Sequence, residues 1–168
     1  MRDKSNPDGS LKAVWLQDEL DRSFGAGMTT VICPITDYFV AHHGALGSFV
    51  RIYCRGVAPE AVIRLARALP GIEKVYDKTT AAREFDLPLD REGDVVVMSD
   101  ATTCIGTTPA AHDLKALAGH RLRTHGGLSE SRVPFILNRP LNPAYAARAA
   151  RGILRNFHIF DFAINGTA

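Results

Sequence analysis

Three consecutive stretches, SFVRIYCR (48–55), APEAVIRLARALP (58–70) and GIEKVYD (71–77), decide how the rest of the chain is read. The first alternates apolar and polar residues with the period of a half-buried strand. The second gathers Val62, Ile63, Leu65, Ala66 and Leu69 on one helical face and Glu60, Arg64 and Arg67 on another, and Pro70-Gly71 end it. The third again reads as a strand, so the stretch predicts a compact βαβ unit.

Such a unit is half of a ferredoxin-like module. Before it, TTVICPI (29–35) is rich in strand formers, with Pro34 marking an edge or an exit, and 36–47 is loop-like. Residues 1–10 read as a surface loop, and Val14, Leu16, Leu20 and Phe24 predict a helix from Leu11 to Phe24 that stops at Gly25 and Gly27. After the unit come a short helix over Thr79–Phe85 and the acidic turn DREGD. The continuous apolar run DVVVMSD (94–100) then predicts a strand buried on both faces, as in a parallel sheet.

Residues 101–132 lack clean periodicity and hold several glycines with His112, His120 and His125, as a long functional loop does. VPFILN (133–138) predicts another buried strand, Asn142–Arg151 a helix, and FHIFDFAI (157–164) a closing helix with its aromatics on the sheet. No repeat or low-complexity tract interrupts this order, and the fold class expected is α/β.

Composition narrows the function classes. The 168 residues are 46% hydrophobic and 23% charged, with a net charge of +2, a balance too mild to argue for nucleic acid or membrane as partner. No run of about 18 apolar residues occurs. Cys33, Cys54 and Cys104 are odd in number and carry no C-x-x-C pair, which fits a reducing cytoplasm better than a disulfide framework or a thiolate zinc site. From Lys115 to Arg155 eight basic residues face a single acid, Glu130; this bias would draw an anionic substrate, or else simply solvate a surface.

The stretch RTHGGLSESR (123–132), just before VPFILN, is the first place to look for chemistry. An imidazole beside two glycines can project into a site while the backbone approaches a ligand closely; a turn histidine on a glycine loop is the plain alternative. Asp37 with His42 and His43 has spacing that permits a metal site, although neighbouring histidines in extended chain point apart. His112-Asp113 invites a catalytic dyad, but capping of the following helix by Asp113 accounts for it more simply. Cys104 has no base near it in sequence, and Ser129 lacks the G-x-S-x-G frame of a nucleophile elbow.

THGGLSESRVPFILNRP (124–140) resembles the motif of phosphonoacetate hydrolases, zinc enzymes of the alkaline phosphatase superfamily, in which a histidine before two glycines ligates one of two zincs. GDVVVMSD (93–100), TTPAAHDLKAL (107–117), ITDYFVAHHGALGSF (35–49) and LRNFHIFDFAING (154–166) are similar to further pieces of that family, in the same order. The resemblance spans essentially the whole chain. It implies part of an alkaline-phosphatase-like sheet with helices: a core helix segment at 1–28, a small cap-like α+β insertion at 29–90, and the C-terminal part of the core at 91–168. His125 is the residue that carries over, as metal ligand and near substrate oxygens.

The family's other zinc-binding stretch ends Asp-His-Gly-Met with a lysine soon after, and this chain opens with Met1 and Lys4. The resemblance therefore implies that the aspartate and histidine lie just before Met1, and that the threonine nucleophile, the other zinc ligands and the substrate lysines lie further upstream. A two-zinc hydrolase needs several ligands per metal, and one imidazole does not chelate. The expectation is the C-terminal fragment of a zinc-dependent phosphonoacetate hydrolase, inactive alone and prone to self-association through exposed strand edges. Two alternatives remain: a fragment of a phosphate mono- or diester hydrolase of the same superfamily, and a non-catalytic α+β binding or assembly module.

Overall fold

The computed structural model describes residues 1–34, 44–115, 119–152 and 154–168. Asp37, His42 and His43 lie outside them, as does part of the helix expected after Asp113. The elements in chain order are β1 (Arg2–Asp3), β2 (Ala13–Trp15), α1 (Leu16–Phe24), β3 (Thr29–Ile32), β4 (Phe49–Cys54), α2 (Pro59–Ala68), β5 (Ile72–Asp77), α3 (Lys78–Phe85), β6 (Val95–Ser99), β7 (Cys104–Gly106), β8 (Arg123–Thr124), α4 (Pro143–Arg151) and α5 (His158–Asn165). They divide into two compact units, Met1–Ser131 and Arg132–Ala168.

The first unit is built on a four-stranded sheet ordered β3-β4-β6-β5, in which every neighbouring pair is antiparallel. Because β4 and β5 both run against β6, they are parallel to each other, and α2 connects them. The βαβ reading therefore holds in its split form, with β6 inserted between the two strands.

All five residues of β6 are buried. Val95 and Val97 pack with Leu16 and Leu20 of α1, Val62 and Ala66 of α2, and Val50 and Ile52 of β4. Val96 and Met98 face the other way, onto Ala81 of α3 with Phe49, Tyr76, Phe85 and Leu128. The expectation of a parallel sheet here is corrected: a continuous apolar strand reports cover on both faces, and helices on both faces of an antiparallel sheet satisfy it equally. Ile72 and Val75 of β5 both join the first face although they are three residues apart. A register irregularity between Ile72 and Lys74 resets the alternation and makes this possible.

Other expectations are also corrected. The helix begins at Leu16 rather than Leu11, because Ala13–Trp15 pair in parallel with Cys104–Gly106. A long-range ladder has overridden the local helical period, and Val14 and Trp15 suit a strand. VPFILN belongs to no ladder among the described residues, with Val133 62% and Ile136 78% exposed. Its composition fits a strand, yet no neighbouring strand offers it hydrogen bonds, and Pro134 lacks a donor.

The second unit is a small helical clasp. Asn142 caps α4 by accepting from the Tyr145 amide at 3.1 Å, with Pro143 in the first turn. Phe162 of α5 is fully buried, edge-on to Tyr145 and Phe135 at 5.0 and 5.3 Å between centroids. The closing helix thus forms as expected, with Phe162 packed among aromatics of its own unit and Phe157 and Phe160 exposed.

Ile52 is fully buried in the larger core, whereas Ile136 is not. We expect Ile52→Ala to cost about 2–5 kcal/mol of stability and Ile136→Ala to stay within about 0.5 kcal/mol, as read from urea unfolding midpoints.

Candidate functional site

His125 follows directly on β8, where alternation sets its environment. Leu122 and Thr124 point inward and are buried, while Arg123 and His125 are exposed. β8 pairs antiparallel with β1 in the register Arg2 to Thr124 and Asp3 to Arg123. Continuing that register by one residue sets Met1 opposite His125. The Thr124 hydroxyl donates to the Leu46 carbonyl at 2.5 Å, and the His125 carbonyl accepts from the Ser48 amide at 2.9 Å. The backbone beneath the imidazole is therefore fixed to the segment that enters β4.

The two glycines that follow have separate reasons. Gly126 has φ +105°, a conformation L side chains rarely adopt. A Cβ on Gly127 would lie 2.8 Å from Glu130 Oε2 and 3.1 Å from Ser48 Cβ, so a close approach requires glycine there. The Gly127 amide donates to Glu130 Oε2 at 2.8 Å, the reach-back contact that closes the first turn of a helix, here the short 3-10 turn Leu128–Glu130.

Behind this turn lies a fully buried lysine. Lys4 Nζ donates to the carbonyls of Asp100 and Ala101 at 3.2 and 3.1 Å and to Glu130 Oε1 at 3.2 Å, which engages all three ammonium protons. Ser129 Oγ donates to the same carboxylate at 2.5 Å. Burial raises the Glu130 carboxyl, but the Ser129 hydroxyl, the Lys4 ammonium and the Gly127 amide outweigh it and hold the group below its ordinary value.

The remaining candidates are accounted for by local bonding. Asp100 Oδ1 accepts from the amides of Thr102 and Thr103, both at 2.8 Å, which fixes the turn after β6. His112 Nε2 accepts from the Thr107 amide at 3.0 Å, so Nδ1 carries the proton and donates to the Gly44 carbonyl at 3.0 Å. Its ring lies 5.7 Å from that of Trp15. Both ring nitrogens thus have backbone partners, and this histidine joins three segments. Burial pushes the Cys104 thiol up to about 12 and Cys33 to about 11, which leaves both poor nucleophiles. Within the basic stretch, Arg121 pairs with Asp3 and Arg148 with Asp161, each at 2.5 Å.

Sequence reasoning singled out His125 and its glycines, noted Lys4 only as part of a motif and Glu130 only as a lone acid, and gave Thr124 and Ser48 no role. A signal existed for Glu130: G-L-S-E places an acid three residues after a residue that can start a helix, the spacing of a capping box. Ser48 and Thr103 are buried with hydroxyls that have no partner among the described residues, a cost nothing in their sequence announces.

Among the described residues no three of His, Cys, Asp or Glu come together in a group that could hold a metal ion. One exposed imidazole, with Asp100 engaged in its own turn, does not fit zinc by itself.

The mixed α/β fold, with helices on both faces of its four-stranded sheet, matches part of an alkaline-phosphatase-like fold, and the glycine-flanked imidazole stands where the backbone is bonded to the start of β4. No protein-family model matches the chain. Two solved structures do, both of phosphonoacetate hydrolase from Sinorhizobium meliloti 1021, one in complex with phosphonoformate and one with phosphonoacetate. Each matches 99% of this chain at 39% identity with a TM-score of 0.79, and each is itself covered to only 40%. The chain is similar to phosphonoacetate hydrolase over 99% of its length, and it spans about 40% of the length of that enzyme.

Two outcomes follow from this geometry. Gly127→Ala should cost about 1–3 kcal/mol by overpacking against Glu130 and Ser48, as measured by urea unfolding. Glu130 has a folded pKa below its unfolded one, so its stabilisation is complete above the ordinary glutamate range and is lost as pH falls through the lower, folded value. The unfolding midpoint of the wild type should therefore fall in that acid window by an increment absent from Glu130→Gln.

Proposed function

We propose that this chain forms the C-terminal part of a phosphonoacetate hydrolase and that His125 is its contribution to the metal and the substrate. The reaction is addition of water across the carbon–phosphorus bond: phosphorus gains the oxygen, the departing carbon gains a proton, and the products are phosphate and acetate. The observation that carries this reading is 39% identity over 99% of the chain to an enzyme whose structures hold phosphonoacetate and phosphonoformate.

Zinc, when bound, would supply the positive charge that activates an oxygen nucleophile and stabilises charge on the phosphonate oxygens. This chain's own residues do something narrower. The bonds from Thr124 to Leu46 and from Ser48 to His125 fix where the imidazole emerges, and the glycines let backbone lie close beside it. Arg123, exposed next to it, adds charge of the sign an anionic substrate needs. The remaining donors would come from outside the described residues, consistent with coverage of 40% of the relative.

We further propose a reducing, cytoplasmic setting, in keeping with three free cysteines among the described residues. No helix of the described residues is long and apolar enough to cross a membrane.

The test is a chimera in which this chain replaces the matching part of the Sinorhizobium meliloti enzyme. It should release phosphate from phosphonoacetate, and His125→Ala should lower that rate by at least about 100-fold, as expected for a metal-site residue. A chimera that prefers a nitrophenyl phosphate ester would move the reading to the ester hydrolases. A folded chimera whose rate is unaffected by His125→Ala would overturn the role given to His125.

A further inference from the structure

The buried Lys4 has no role in the reading above, yet beside the β1–β8 ladder its side chain ties the end of β6 to the turn that follows His125. We propose that Lys4 is a positioning residue: through Glu130 it fixes Gly127, and with it the placement of the His125 imidazole. The proposal rests on His125 being the functional imidazole.

The links are continuous. Lys4 sits one residue beyond β1, on the strand whose register runs toward His125. Its ammonium is anchored at the end of β6 by the Asp100 and Ala101 carbonyls, a fixed point of the sheet. From there it bonds Glu130 Oε1, while Glu130 Oε2 takes the Gly127 amide two residues after His125. On the other side His125 is held by the Ser48 amide. The loop is therefore pinned before and after the imidazole, and the later pin depends on a carboxylate that Lys4 orients.

Simple structural support would need less than this. A buried charge paired with one carboxylate is weak evidence for stability, because an apolar side chain of similar volume often serves as well. A charge saturated by two backbone carbonyls and one carboxylate fixes direction as well as distance. What it fixes is the turn that follows the imidazole.

The experiment uses the full chain labelled with ¹⁵N and ¹³C. It reads the His125 ring resonances, assigned with His125→Ala, and amide exchange at Gly127, Ser48, Ile52 and Val97. In Lys4→Met, exchange at Gly127 and Ser48 should rise at least about tenfold, corresponding to loss of roughly one hydrogen bond. The His125 ring signal should shift and broaden while Ile52 and Val97 keep their protection. Glu130→Asp retains the charge that Lys4 needs but shortens the reach to Gly127, so it should reproduce the effect in a chain that folds even where Lys4→Met does not. Lys4→Met combined with Glu130→Gln should add little to either change alone, because both act through one contact.

An unchanged His125 signal in a folded Lys4→Met or Glu130→Asp chain would overturn the proposal. So would a uniform loss of protection across the sheet, the mark of a purely structural lysine. Neither readout involves a phosphonate. A silent Lys4 therefore leaves the hydrolase reading standing, and an inactive chimera leaves the positioning role standing.

Discussion

The first unit depends on one constraint: β6 has no face that can meet water. Five successive buried residues require apolar cover on both sides. The chain meets that demand with α1 and α2 on one side and α3 with its aromatic neighbours on the other. The same strand carries the hydrogen bonds of β4 on one edge and β5 on the other. Where β6 ends, the candidate site begins. Ser99 donates its amide to the Ser48 carbonyl, and the carbonyls of Asp100 and Ala101 receive Lys4. The most deeply held element of the unit thus fixes the backbone around His125.

What the sequence made legible follows the range of each interaction. β4, α2 and β5 were readable because each writes its period into contiguous residues, and α4 because Asn142-Pro143 marks its start. The direction of β6 was not, since an apolar run records burial and not pairing. Ala13–Trp15 were misread for a related reason. Their partner, β7, lies about ninety residues away, and local helical spacing gave no notice of it. VPFILN shows the converse, a segment with the composition of a strand and no ladder among the described residues.

The site divides in the same way. His125-Gly126-Gly127 stood out as a local pattern, but one that a turn histidine on a glycine loop fits equally, so its proposed role comes from the family resemblance. Lys4 was noticed only as part of a motif. Its partner Glu130 stands at a separation of 126 residues, too far for any window of sequence to connect. His112 illustrates the opposite outcome, for its two ring nitrogens bond backbone from separate segments. The glycines at 126 and 127, read first as room for a ligand, also serve a backbone that must pass close to Ser48 and Glu130.

As proposed above, this chain would supply His125 to a phosphonate-hydrolysing centre whose remaining zinc donors lie outside the described residues. Calorimetric titration of the metal-free chain with zinc tests this most directly. The account predicts no sub-micromolar binding and no saturation at two ions per chain. Two tightly held zinc ions, with binding lost in His125→Ala, would contradict it by showing a complete binuclear site in this polypeptide alone.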